Sequence, residues 1–129
     1  EFGAGRAGYY FDGKKEDTFG NGLPDDLGIK SAADMVGLLG RGEEMFNVHC
    51  AICHGKSGNG KGVVSHHLEQ VGVGVPSLHN YPQETSPDGY IYEVISNGKG
   101  LMGGYKHNLP VRDRWAIVSY LRALQASAK

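Results

Sequence analysis

The sequence predicts an all-α fold in a single domain. Apolar residues recur at helical spacing in four stretches, while the one alternating stretch, Val71 to Val75, is cut short by Pro76. The 21 glycines among 129 residues point to many turns and little sheet. A chain of this length buries a limited fraction of its surface. The formal charge of −1 gives no general attraction to nucleic acid or to a membrane surface. No apolar run is long enough to cross a bilayer.

Residues 1–40 are expected to form an extended N-terminal segment with one short helix, ahead of a domain over 41–129. Phe2, Tyr9, Tyr10, Phe11 and Phe19 are interleaved with glycine in this lead-in, without helical periodicity. Composition leaves two readings open, a segment that docks its rings on the surface or a solvated lead-in. Pro24-Asp25-Asp26 reads as a turn. Ser31 offers an N-cap to a short helix carrying Met35, Leu38 and Leu39, which Gly40 is expected to end. From Gly42 to Cys50 the period is again helical, with Glu43 and Glu44 in the first turn where the helix dipole favours them.

Glycines 55, 58, 60 and 62 then predict a loop whose backbone passes close to a bound group. It lacks the lysine and hydroxyl spacing of a phosphate loop. Residues 71–75 are also read as loop. Ser86-Pro87-Asp88 opens a helix, with Ser86 as cap and Pro87 at the first helical position. Ile91, Val94 and Ile95 form its apolar face, and Asn97-Gly98 ends it. A further glycine-rich loop carries Met102. The last helix, about Val111 to Gln125, shows Ile117, Tyr120, Leu121 and Leu124 at helical spacing.

The chemistry concentrates in Cys50-Ala51-Ile52-Cys53-His54. Two thiols three positions apart, followed at once by an imidazole, form the attachment signature of one covalent haem c. Each thiol adds across a vinyl group, and His54 is left beneath the iron as its proximal ligand. A dithiol redox site or half a zinc site would also contain Cys-x-x-Cys. Zinc needs further ligands, yet these are the only two cysteines, and a thioredoxin-like site needs strands and crossovers that the pattern lacks. Haem c is attached on the export side of a bacterial membrane, so an export signal ahead of Glu1 is expected. An upstream lipid anchor is compatible with the same reading.

Gly42, Phe46 and Cys50 are successive steps of four and so lie along one helical stripe. A mid-stripe glycine costs about 1 kcal/mol against alanine, and close approach of the last helix at Tyr120 is a reason for it. Here the chain resembles the class I cytochrome c family, in which an N-terminal helix with this step crosses the C-terminal helix beside the haem. Gly42, Phe46, Ile117, Tyr120 and Leu121 occupy the matching places. The resemblance implies that the Pro76 carbonyl accepts a hydrogen bond from the free ring nitrogen of His54, raising its basicity, and that Leu78 packs on the haem.

Met102 looks like the sixth ligand of that family, and a thioether opposite an imidazole raises the potential. Gly103-Gly104 follows it where the family commonly has proline, which predicts a looser loop. Met35 and Met45 are read as core. His49, His66, His67, His79 and His107 offer a bis-histidine alternative, with His66 and His67 its chief candidates in a polar loop. Tyr90, Tyr105, Arg112 and Trp115 are candidates for the haem propionates, and the sequence does not choose among them. Lys56, Lys61, Lys99 and Lys106 occur in carboxylate-free stretches around the motif and Met102. They form either a positive docking rim or an ordinary solvated one.

The last third is similar to the mono-haem cytochrome c subunit of bacterial alternative complex III. The likeness rests on Pro87-Asp88-Gly89-Tyr90-Ile91-Tyr92, Ile95-Ser96-Asn97-Gly98, Asp113-Arg114-Trp115-Ala116-Ile117-Val118 and Leu121-Arg122-Ala123-Leu124-Gln125. Earlier, Leu38-Leu39-Gly40-Arg41-Gly42 and Gly5-Arg6 with Tyr9-Tyr10 and Gly13 agree. This resemblance implies an electron carrier rather than an enzyme. Its donor would be a quinol-oxidising membrane complex, its acceptor a terminal oxidase or that oxidase's cytochrome domain, and it would act on the periplasmic side of the membrane. The alternatives are a soluble periplasmic shuttle, or a haem sensor or peroxidase-like protein with a labile sixth ligand.

Overall fold

The fold, a computed structural model, describes residues 8–72, 74–100 and 102–127; Phe2 and Gly5-Arg6 lie outside them. Among the described residues it is mostly helical: α1 (Tyr9–Asp12), α2 (Ala32–His49), α3 (Ala51–His54), α4 (Val63–Gln70), α5 (Asp88–Asn97) and α6 (Val111–Ser127). The two-residue strands β1 (Lys14–Lys15) and β2 (Thr18–Phe19) pair antiparallel.

Helix α2 starts where expected, with Ser31 Oγ accepting from the Asp34 N–H at 3.2 Å. It does not end at Gly40. The helix runs unbroken through that glycine, so the division expected between residues 40 and 41 falls inside it. Leu38, Gly42 and Phe46 are buried at steps of four, and this packed stripe outweighs the weak propensity of the exposed glycines.

Helices α2 and α6 share the most extensive packing in the molecule. A Cβ on Gly42 would stand 2.1 Å from the Ala116 carbonyl oxygen and 2.9 Å from Tyr120 Cβ. Only a residue without a side chain lets the two backbones meet there. One turn along, the Phe46 and Tyr120 rings lie 5.5 Å apart. Residues Asp113 to Leu121 of α6 are all buried except Tyr120. Phe46, Trp115, Ile117, Val118 and Leu121 form the centre of the core.

The N-terminal segment is less extended than its composition suggests, because α1 and the hairpin give it local structure. It docks its rings. Tyr9 packs 5.1 Å from Trp115, whose Nε1 donates to the Tyr10 carbonyl at 2.8 Å. Farther along, the Gly22 N–H donates to Asp88 Oδ2 at 2.9 Å, and the Gly89 N–H donates to the Gly20 carbonyl. Asp88 also takes Arg122 Nε at 2.6 Å, and Arg122 donates to the carbonyls of Tyr81 and Ser86. The segment, α5 and α6 are thereby tied at one buried ion pair.

Two local expectations need correction. The cap of α5 is Pro87, without a side-chain bond, and Ser86 instead gives its carbonyl to Arg122. Residues 63–70 form helix α4 where a polar loop is expected. Its β-branched valines and paired histidines have weak helix propensity, and only Ser65 is buried, so the stretch lacks an apolar helical stripe.

Candidate cofactor site

A cavity of about 440 Å³ lies between α2, α3, α5 and α6 and the loops that follow α4 and α5. Cys50, Cys53, His54, Pro76, Leu78 and Met102 all line it. The rest of the wall is mainly apolar: Phe46 from α2, Ile91, Val94 and Ile95 from α5, and Ile117 and Leu121 from α6. The stripe that the sequence marks as the inner face of α5 is thus a wall of this cavity.

The motif end is built by local backbone geometry. Cys50 closes α2 through its N–H to the Phe46 carbonyl at 2.8 Å, and α3 turns immediately so that His54 N–H returns to the Cys50 carbonyl at 2.9 Å. A Cβ on Gly62 would stand 2.1 Å from the Ile52 carbonyl oxygen. The glycine there lets backbone approach backbone under the motif, rather than approach a bound group.

Burial pushes the Cys50 thiol up to about 12, with the Cys53 thiol adding to the effect. A thiol held protonated in apolar surroundings is the reverse of an activated redox cysteine. Among the described residues no group of three or more His, Cys, Asp and Glu is arranged to hold a metal ion.

Burial lowers the pKa of His54, while the Pro76 carbonyl acts on the ring in the opposite direction. The contact stops short of a full hydrogen bond, since Nδ1 is buried without a partner. The net result is a neutral imidazole near neutral pH, the form that can ligate a metal. Leu78 is half-buried, and its N–H donates to the Gly58 carbonyl at 2.6 Å.

Met102, on the wall of the same cavity, is half-buried and forms an antiparallel bridge with Lys99. Its loop is tied to the helices despite the two glycines that follow. The N–H groups of Tyr105 and Lys106 donate to the carbonyls of Ile95 and Ser96, at 2.8 and 3.0 Å. Tyr105 Oη donates to the His49 carbonyl at 3.2 Å, and the two rings pack 5.4 Å apart.

The other candidates separate clearly. Met35 and Met45 pack against the core and do not line the cavity. Neither do His66, His67, His79 and His107, whereas His49 does. His66 and His67 are exposed on α4, and His79 Nε2 bonds the Ser57 carbonyl at 2.7 Å. Of the propionate candidates, Tyr90 and Tyr105 line the cavity. Trp115 is fully buried and stacked on Tyr92 at 4.3 Å, and Arg112 is turned to the Leu27 carbonyl. Tyr81 is a wall residue that no sequence pattern marked, and Lys99, read only as a rim charge, lines the wall too. Lys99 Nζ donates to Tyr90 Oη at 2.5 Å.

Two thiols, the adjoining His54 imidazole and one thioether around a mainly apolar cavity fit a haem attached through both cysteines. A family model described as cytochrome c oxidase, cbb3-type, subunit III matches residues 37–121. The chain belongs to this cytochrome c family. As a cytochrome c it is an electron-transfer protein with covalent haem c, in the class I cytochrome c fold. The structure is also similar to the crystal structure of cytochrome cL from Hyphomicrobium denitrificans, with a TM-score of 0.51 and 30% sequence identity. That match covers 68% of this chain and 48% of the other, so the chain spans about half the length of that relative. No curated protein matches the sequence.

Proposed function

We propose that this cytochrome c carries one haem and passes single electrons along a bacterial respiratory chain. Its donor is a quinol-oxidising membrane complex such as alternative complex III, and its acceptor is a terminal oxidase or that oxidase's cytochrome domain. One observation carries the proposal: Cys50, Cys53, His54 and Met102 line the same mainly apolar cavity. When bound, the haem supplies an iron that changes its charge by one electron. The two cysteines would anchor the group, and His54 and Met102 would ligate its iron. An iron held by two protein side chains would have no open site for a substrate, which favours electron transfer. The Pro76 carbonyl would accept from the free ring nitrogen of His54 once the haem is bound, Leu78 would pack on the haem, and the neighbouring side chains would exclude water.

The protein acts on the periplasmic side of the membrane after export, held there by a lipid or by its complex. Among the described residues no helix is long and apolar enough to cross a membrane. The donor and acceptor rest on the resemblance of residues 38–42, 87–92, 95–98, 113–118 and 121–125, with the lead-in at Gly5-Arg6, Tyr9-Tyr10 and Gly13, to the alternative complex III subunit.

The purified protein is expected to keep its colour through acid-acetone extraction and to carry a mass increment of one haem. Met102→Ala is expected to lose the weak far-red charge-transfer absorption of the oxidised state, to bind carbon monoxide when reduced, and to fall in midpoint potential within the ~0.8 V that axial ligands span. Unchanged ligation in that variant excludes Met102. Failure of a purified quinol-oxidising complex to reduce the protein, with its haem intact, excludes the proposed donor.

A further inference from the structure

The loop that carries Met102 is closed at its base by a buried cation. Arg114, in the first turns of α6, is only 8% exposed. Its Nε donates to the Leu109 carbonyl at 3.1 Å and its Nη1 to Ser96 Oγ at 2.7 Å. The guanidinium also lies 5.2 Å from the Tyr92 ring centroid, and Ser96 Oγ donates onward to the Tyr92 carbonyl at 2.8 Å. Among the described residues no carboxylate pairs with it. The adjacent Asp113 is engaged by Arg41, through Nε and Nη2 at 3.0 Å each.

Burying a guanidinium without an anion is unfavourable unless other groups replace its water. A carbonyl, a hydroxyl and an aromatic face do so here. An apolar side chain would fill the same volume without that cost, so the polar fork needs another reason. Its two partners supply one. Ser96 lies in the last turn of α5 and Leu109 at the end of the following loop, and Met102 lies between them. A planar guanidinium can hold two acceptors at a fixed spacing, which a flexible ammonium cannot. Arg114 also shares a face of α6 with Ile117 and Leu121, three and seven residues on, and both line the cavity.

We propose that Arg114 is the positioning residue for Met102. It clamps the two ends of the 98–109 loop together, so that the thioether stays over the cavity rather than swinging outward with the loop. The inference rests on the reading of Met102 as axial ligand.

The test uses the haem-loaded full chain in its oxidised state, with imidazole as a probe that enters only when Met102 leaves. Charge-assisted hydrogen bonds that hold a closed state shift its opening by about tenfold or more when lost. Arg114→Gln is therefore expected to bind imidazole about tenfold or more tightly than the parent, with a weaker far-red charge-transfer absorption. Ser96→Ala, which removes one of the two anchors and keeps the cation, is expected to move both readings the same way by a smaller factor. A general loss of packing would lower the thermal midpoint without raising imidazole affinity, and that pattern in Ser96→Ala overturns the proposal even if Arg114→Gln fails to fold. Parental imidazole affinity in both variants also overturns it. A parent that lacks the far-red absorption removes Met102 as ligand and this inference with it, so the two failures are distinguishable.

Discussion

The two sides of the cavity are held by different physics. On the motif side, α2 and α6 meet backbone to backbone at Gly42, and the thiols and imidazole follow at the end of α2 and in the short helix α3. On the methionine side, no helix carries the ligand candidate. Met102 pairs with Lys99, its loop is tied to α5 and α6 by hydrogen bonds from Tyr105, Lys106 and Arg114, and the N-terminal segment is tied by similar polar contacts. The difference teaches where the molecule can yield. A close-packed crossing loses stability when volume is added. A polar tie loses most when one partner is left buried and unpaired.

The largest effect is expected at the ion pair that joins the N-terminal segment to α5 and α6. Arg122→Leu leaves Asp88, only 4% exposed, as a buried carboxylate without its cation, at a cost of about 3–5 kcal/mol. Denaturant unfolding of the haem-loaded protein measures it, and a loss below that of Gly42→Val would mean that the crossing dominates. Gly42→Val places carbon against the Ala116 carbonyl, and overpacking of this kind costs about 1–3 kcal/mol. A thermal midpoint equal to the parent's would show that the crossing can relax.

Tyr105→Phe removes one tie between the two sides, the bond to the His49 carbonyl. The expected loss is about 0.5–1.5 kcal/mol, accompanied by weaker methionine ligation and no change in thioether attachment. Intact ligation together with intact stability would remove Tyr105 from the list of ties. The smallest effect is a pH response at the N-terminal segment. Burial, assisted by Asp88, raises the Tyr9 hydroxyl from 10.0 to about 12. The neutral phenol is favoured in the folded state, so its contribution is complete below pH 10 and lost as pH rises through about 12. The thermal midpoint should fall across that window in the parent and fall less steeply in Tyr9→Phe.

Much of this was legible without coordinates, for reasons that particular residues make plain. The helix crossing could be read from Gly42, Phe46 and Cys50 because a period of four survives in any helical context. The inner stripe of α5 was legible for the same reason. Helix α4 was not, because a short exposed helix has no apolar stripe to announce it. The continuity of α2 was hidden by Gly40, whose local preference is overruled by Leu38 and Phe46 packing on either side of it. Trp115 and Arg112 looked available to a bound group, yet both spend their donors on carbonyls of the N-terminal segment, a contact between residues more than 80 positions apart.

The sequence by itself determined the chemistry of attachment, because two thiols and an imidazole three and four positions apart are joined by local backbone alone. It also determined the helical class and the helix pair at the centre, since hydrophobic period and a misplaced glycine are local signals. Only the tertiary structure decided that Met102 lines the cavity while Met35 and Met45 pack against the core, and that His66 and His67 stand outside. It alone gathered the Leu109 carbonyl and the Ser96 hydroxyl around one buried arginine. Those choices depend on which distant groups satisfy each buried donor, and no spacing along the chain encodes that.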